Sequence, residues 1–154
     1  MNITLIIISL GVFALLIIAM ASAKNKKKKK IDEFLAMGKE HGFTFSQYEI
    51  GNWFSMGLDE KSPGILVVNQ QKPEEILAVD LSKVKQCKAT ETSTNVSAKT
   101  ENHYITSRID LVFHFKDKNA TPPSINFYNI DESFQISDEL QLAKKWEKII
   151  NSVL

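Results

Sequence analysis

The chain has 154 residues, and its 19 basic and 18 acidic side chains give a formal net charge of +1. Residues 1–30 hold six of the bases and no acid, so residues 31–154 carry 13 bases, 18 acids and a formal net charge of −5. An acidic body of this kind does not favour nucleic acid as a partner. The single cysteine, Cys87, excludes an internal disulfide and any cysteine-based zinc cluster.

The first segment of the chain is apolar. Residues 1–23 contain no charged side chain, and the run from Ile3 to Ala23 is 21 residues long. At about 1.5 Å per residue such a helix would be roughly 31 Å long, which matches a hydrocarbon core of about 30 Å. The pattern predicts a transmembrane helix over residues 1–23, and therefore a single-pass protein.

A block of six lysines follows at once, and residues 24–30 are predicted to form a polybasic juxtamembrane neck. Under the positive-inside rule, this block places the N-terminus outside and the body in the cytoplasm, at the cell membrane. The same side chains are candidates for contact with anionic lipid, although setting the topology is sufficient to explain them. The candidate lipid-contact residues are Lys24, Lys26, Lys27, Lys28, Lys29 and Lys30.

A cleaved signal peptide is the alternative interpretation of the first segment. Ala21-Ser22-Ala23 has the small-x-small form of a cleavage site. The first two residues carry no lysine or arginine, the apolar run exceeds the usual 7–15 residues, and the lysines that follow oppose translocation. Cleavage after Ala23 would make the body a secreted or periplasmic binding domain.

The body begins with a predicted short helix over Ile31–His41, ended by Gly42, and a connector that reaches residue 50. Short apolar or alternating runs then predict strands, and the polar stretch Glu91–Asn102 is predicted to be a long, mobile hairpin connection. The predicted strands cover residues 53–58, 65–68, 77–81, 84–90, 103–115 and 125–128.

The last predicted element is an amphipathic helix from Ser137 to Leu154. Asp138 and Gln141 have the spacing of a capping box at its start. Apolar residues then recur at helical spacing and predict one buried stripe. The stripe consists of Leu140, Ala143, Trp146, Ile150 and Val153. Strands closed by one such helix indicate an α+β domain over residues 51–154.

Four segments carry a resemblance to a known fold. They are Gly57-Leu58-Asp59-Glu60, Asp80-Leu81-Ser82-Lys83-Val84, Phe113-His114-Phe115 and Ala143-Lys144-Lys145-Trp146-Glu147-Lys148-Ile149-Ile150. Their order resembles the pleckstrin-homology-like (PH-like) fold, as in bacterial membrane-anchored proteins of unknown function. The resemblance covers roughly residues 50–154 and implies a bent antiparallel sheet or barrel closed by the C-terminal helix. The loop Asp59–Gly64 holds two acids and one base, so the resemblance implies protein contacts more than phosphoinositide binding.

No catalytic, cofactor or metal site is predicted. The three histidines, His41, His103 and His114, lack the spacing of a helical zinc site, and no nucleophile motif surrounds Cys87. We therefore predict a membrane-tethered cytoplasmic interaction or adaptor module that contacts membrane lipid and an unknown protein partner. A membrane-surface enzyme of unknown reaction is the rival, with Cys87 and either His103 or His114 as a nucleophile–base pair.

Overall fold

The structure, a computed structural model, describes residues 3–51, 54–70, 72–98, 101–133 and 136–154; the side chains of residues 3–19, 21, 96–98 and 101–103 are not described. The chain divides into two compact units between Gly42 and Phe43. Helix α1 (Ile3–Glu40) belongs to the first unit. The second contains the strands β1 (Gln47–Ile50), β2 (Phe54–Asp59), β3 (Gly64–Asn69), β4 (Ile76–Asp80), β5 (Val84–Ala98), β6 (Glu101–Phe115) and β7 (Ser124–Asn129), and helix α2 (Glu139–Asn151).

Helix α1 is a single element of 38 residues. The prediction of a separate short helix beginning at Ile31 is therefore wrong, because the lysine block continues the helix. Lysine is a good helix former, and nothing in that block interrupts the backbone ladder. The predicted end is confirmed: Gly42 has φ +82°, a conformation that glycine adopts without steric cost, and its N–H donates to the Lys39 carbonyl (3.0 Å).

The prediction of a membrane-spanning helix over residues 1–23 requires correction. Among the residues that the structure describes, no helix is long and apolar enough to cross a membrane. From Ser22 to Lys30 the described side chains of α1 are exposed, and most of them are lysines, which a hydrocarbon core does not accommodate. The single-pass topology and the cell-membrane localisation that depended on this helix are not supported either.

The strands of the second unit form two antiparallel sheets, with strand orders β1-β2-β3-β4 and β5-β6-β7. The α+β class is therefore found, but the predicted PH-like bent sheet or barrel is corrected to two separate sheets with no ladder between them in the described residues. The break falls at the 3₁₀ turn Leu81–Lys83, which the Asp80 carboxylate caps by accepting the Ser82 N–H (3.0 Å). Apolar side chains from both sheets pack into one core.

The predicted loop over Glu91–Asn102 is wrong. Strands β5 and β6 continue through most of it, and their pairing extends from Val84 opposite Phe115 to Ala98 opposite Glu101. The described side chains of residues 91–95 are exposed. Strands are predicted from the alternation of apolar and polar residues. Where both faces of a hairpin meet water, polar β-branched residues such as threonine form strands without this alternation.

Helix α2 follows its predicted stripe. Ala143, Trp146 and Ile150 are buried in the core, and Leu140 and Val153 pack against it, so that prediction is confirmed. The predicted capping box is wrong, since the Asp138 carboxylate makes no capping hydrogen bond. The buried indole N–H of Trp146 also has no hydrogen-bond partner among the described residues. Its contribution is therefore the apolar contact of its ring.

A buried carboxylate joins the connector after Gly42 to the first sheet. Asp59 is only 2% exposed and accepts three backbone N–H groups, from Thr44 (2.7 Å), Lys61 (2.9 Å) and Ser62 (3.1 Å). These bonds, with that from Thr44 the strongest influence, lower the pKa of Asp59 although burial acts in the opposite direction. One side chain thereby fixes both the connector and the turn between β2 and β3.

We expect Trp146→Ala to lower the free energy of unfolding by about 3–5 kcal/mol, because the substitution leaves a large cavity in the core. In a domain with about 5–15 kcal/mol of stability, the melting temperature should fall by many degrees. Thermal unfolding followed by circular dichroism measures the change. Lys144→Ala, an exposed change on the same helix, is the control. Equal melting of the two variants would contradict burial of Trp146.

The three backbone bonds to Asp59 predict a dependence of stability on pH. Because the pKa of this carboxyl is lower in the folded chain, its stabilisation is complete above the ordinary value of 3.8 and is lost as the pH falls through the folded value. Asp59→Asn should be about 1–3 kcal/mol less stable than the parent in urea titrations at pH 7. That difference should shrink below pH ~4. The exposed Glu60→Gln is the control, and a difference independent of pH would refute the assignment.

Candidate functional site

Helix α2 covers the outer edge of β5 with polar side chains. The Asn151 side chain accepts the Cys87 N–H (2.9 Å) and donates to the Cys87 carbonyl (2.8 Å). One turn earlier, the Glu147 carboxylate accepts the Ala89 N–H (3.1 Å). These contacts hydrogen-bond backbone groups to which a neighbouring strand could otherwise pair.

The same helix also reaches the outer strand of the other sheet. The Lys145 ammonium lies 2.8 Å from the Glu49 carboxylate of β1. Strands β1 and β5 are each the first strand of their sheets, so α2 contacts one edge of both. The edges that remain are β4 and β7.

A groove of about 680 Å³ lies between those two remaining edges. We call its apolar lining residues the floor; among them, the rings of Phe54 and Phe127 meet edge to face, with centroids 4.6 Å apart. The volume is within the range of sites that bind small molecules or peptide side chains. The other apolar lining residues include Val67, Ile76, Leu77 and Ile125.

The charged side chains that line the groove, called its rim here, are mostly acidic. Four carboxylates and one ammonium line it, which gives a formal net charge of −3. Glu74 and Glu75 precede β4, Glu132 follows β7, and Glu139 begins α2. Carboxylates next to a low-dielectric apolar floor attract cationic groups more strongly than the same charges in open solvent. The chemistry of the groove therefore suits a ligand that is both cationic and apolar.

One rim carboxylate already has a cationic partner. The Lys72 ammonium lies 2.9 Å from Glu75, and this hydrogen bond raises the pKa of Lys72 and lowers that of Glu75. Both side chains are more than half exposed, so solvent screens the pair and it adds little to stability. The pair can therefore exchange for contacts with a bound cation at small cost.

Among the described side chains, the rival nucleophile–base pair is not assembled at Cys87. Its side chain is fully buried in the core, whereas His114 is exposed and pairs one position away, opposite Gln86. The His103 side chain lies outside the described residues, and the His41 Nδ1–H donates to the Met37 carbonyl of α1 (3.0 Å). Burial raises the pKa of the Cys87 thiol to about 12, and the nearby Glu147 carboxylate acts in the same direction. A thiol in that environment is a poor nucleophile.

The structure describes the side chains of the lysine block but not that of Trp53. All six lysines of residues 24–30 are exposed in α1, and their contact with anionic lipid stays a prediction. Trp53, the first residue of the predicted strand over residues 53–58, lies outside the described residues. In the described part of the chain, no group of three metal-ligating side chains comes together.

Sequence reasoning did not identify the groove. The Glu74-Glu75 and Asp131-Glu132 pairs lie outside the predicted strands, in turns where acids are common because they are solvated. Their proximity depends on β4 and β7 being the last strands of two different sheets, which periodicity does not reveal. The signal available in the sequence was limited to two acidic turns, one before a predicted strand and one after another.

Comparison with known proteins returned no match to a protein-family model, to a curated protein or to a solved structure. Membership of a PH-like family therefore stays a prediction. The sheet arrangement that the resemblance implied is the one corrected above.

The raised pKa of Cys87 predicts slow thiol chemistry in the native protein. At pH 8, about one thiol in ten thousand would be ionised, so alkylation by iodoacetamide should be very slow without denaturant and fast in urea. Mass spectrometry of timed samples gives the two rates. Lys85→Cys, which adds an exposed thiol to the same strand, should label rapidly without urea. Fast native labelling of Cys87 would contradict its burial.

Proposed function

We propose that the second unit is a protein-interaction module whose groove between β4 and β7 binds a partner segment that alternates basic and apolar residues. The observation that carries this proposal is the combination of an aromatic floor, formed by Phe54 and Phe127, with a rim of formal net charge −3. An apolar floor alone would accept many ligands, and the acidic rim selects a cationic one.

The position of the groove also supports a polypeptide ligand. It is bordered by the outer strands of two sheets, and exposed sheet edges are common docking sites for extended peptides. Helix α2 occupies the opposite edges through Asn151, Glu147 and Lys145, so the groove is on the side of the unit that those contacts leave open. No catalytic step is part of this proposal.

The test uses the full 154-residue chain and a short fluorescein-labelled peptide of alternating lysine and valine. We expect saturable binding by fluorescence anisotropy that weakens as salt is raised, because rim contacts are exposed to screening. Peptides of alternating glutamate and valine, or lysine and serine, should bind at least about tenfold more weakly, which corresponds to about 1.4 kcal/mol.

A matched pair of double variants locates the binding. Glu74→Lys with Glu132→Lys reverses two exposed rim charges, and we expect the affinity for the lysine–valine peptide to fall by more than about tenfold. Glu60→Lys with Glu91→Lys makes the same charge change at exposed positions that do not line the groove. Equal binding by the two double variants, or no binding by the parent, would refute the proposal.

A further inference from the structure

The direction of the peptide groups in β4 can be read from two hydrogen bonds beyond its ends. The Asn69 N–H donates to the Glu75 carbonyl (3.2 Å), and the Leu81 N–H donates to the Pro63 carbonyl (3.0 Å). In an antiparallel pair, successive residues alternate between facing the partner strand and facing away from it. The register of β3 with β4 has no shift between these two hydrogen bonds, so the alternation holds along the whole of β4.

It follows that Leu77 and Val79 exchange hydrogen bonds with β3, whereas Ile76 and Ala78 direct their N–H and C=O groups away from it. β4 is the last strand of its sheet, so these groups face an open edge. Among the described residues, no hydrogen bond to the backbone of Ile76 or Ala78 is found on that side. Ile76 also lines the groove.

The outer strands of the second sheet are less available than β4. The edge of β5 is covered where Asn151 and Glu147 bind Cys87 and Ala89. The pairing of β7 with β6 has an irregularity between Ile109 and Asp110 of β6. A bulge of this kind interrupts the regular spacing that an added strand needs.

β1, the other outer strand of the first sheet, has four residues and does not line the groove. β4 therefore combines three properties: a regular ladder, uncovered outward groups among the described residues, and a place beside the acidic rim.

We infer that the partner segment binds as an additional strand hydrogen-bonded to Ile76 and Ala78, which extends the first sheet into the groove. This inference rests on the proposed function and specifies its partner as a segment in extended conformation. Residues opposite one another on neighbouring strands share a face. Partner residues opposite Leu77 would therefore face the apolar floor, and those opposite Ala78 would project to the other face.

The first test is Ala78→Pro in the full chain. Proline removes the outward N–H of Ala78, but it leaves the ladder to β3 intact, since that N–H does not face β3, and edge strands tolerate proline at such positions. We expect the lysine–valine peptide to bind about tenfold or more weakly, with a melting temperature close to that of the parent. Ala78→Val keeps the N–H and should bind like the parent.

Backbone methylation of the peptide tests the inference without altering the protein. One peptide carries N-methyl groups on its lysines and another on its valines, so each removes the donors of one edge of an extended strand. An added antiparallel strand, with valines on the floor, should lose binding when the lysines are methylated and keep it when the valines are. The reverse result would indicate a parallel added strand, because the bonded set then shifts by one residue.

Equal binding of the two methylated peptides, or binding of Ala78→Pro like that of Ala78→Val, would overturn strand addition. If Glu74→Lys with Glu132→Lys still weakens binding in that case, the groove remains the site of a basic segment and only the inferred mode of binding fails. If the parent binds no lysine–valine peptide, both the proposed function and this inference are refuted.

Discussion

The apolar core that α2 shares with the two sheets is the interaction on which the second unit depends. Trp146 and Ile150 enter a core to which both sheets contribute, and within the described residues no strand ladder connects those sheets. The sheets are therefore held together by side-chain packing rather than by hydrogen bonds between strands. Such packing is cooperative, because a change in one interdigitated layer is felt by its neighbours.

The same helix decides which sheet edges are open. Its apolar stripe sets its position, and its flanking polar residues then reach β5 and β1. An uncovered edge strand is an aggregation hazard that proteins limit by covering, charging or shortening it. Here β5 is covered, β1 is short, and β4 is preceded by Glu74 and Glu75. Negative charge beside β4 discourages pairing with another acidic strand.

The sequence predicted strongly periodic elements well. The stripe of α2, the turn before β3 and the apolar strand β3 were recognised because each has a local signature. Two kinds of information were not local. The hairpin of β5 and β6 has no apolar alternation beyond Glu91, and the extent of α1 depended on lysines that served as a topology signal rather than as helix formers.

The groove was beyond sequence reasoning for a related reason. Its floor residues Phe54 and Phe127 are 73 positions apart, and each alone is an ordinary core residue on a strand. Only the arrangement of the two sheets brings them together beside acids from separate turns. A PH-like arrangement, as the resemblance implied, would not have predicted which edges α2 covers.

The contact between Asn151 and Cys87 has a consequence for the chemical lifetime of the fold. A primary amide presents one donor and one acceptor in a plane, as a peptide group does, and Asn151 uses both on a single residue of β5. Hydrolysis of that amide to a carboxylate, a common form of protein ageing, would keep the acceptor for the Cys87 N–H but would place an anion against the Cys87 carbonyl. The Glu147 carboxylate is already nearby on the same edge, so the new charge would also meet a like charge. Slow conversion of one side chain would thus weaken the contact between α2 and the edge of β5, with no change in the apolar core.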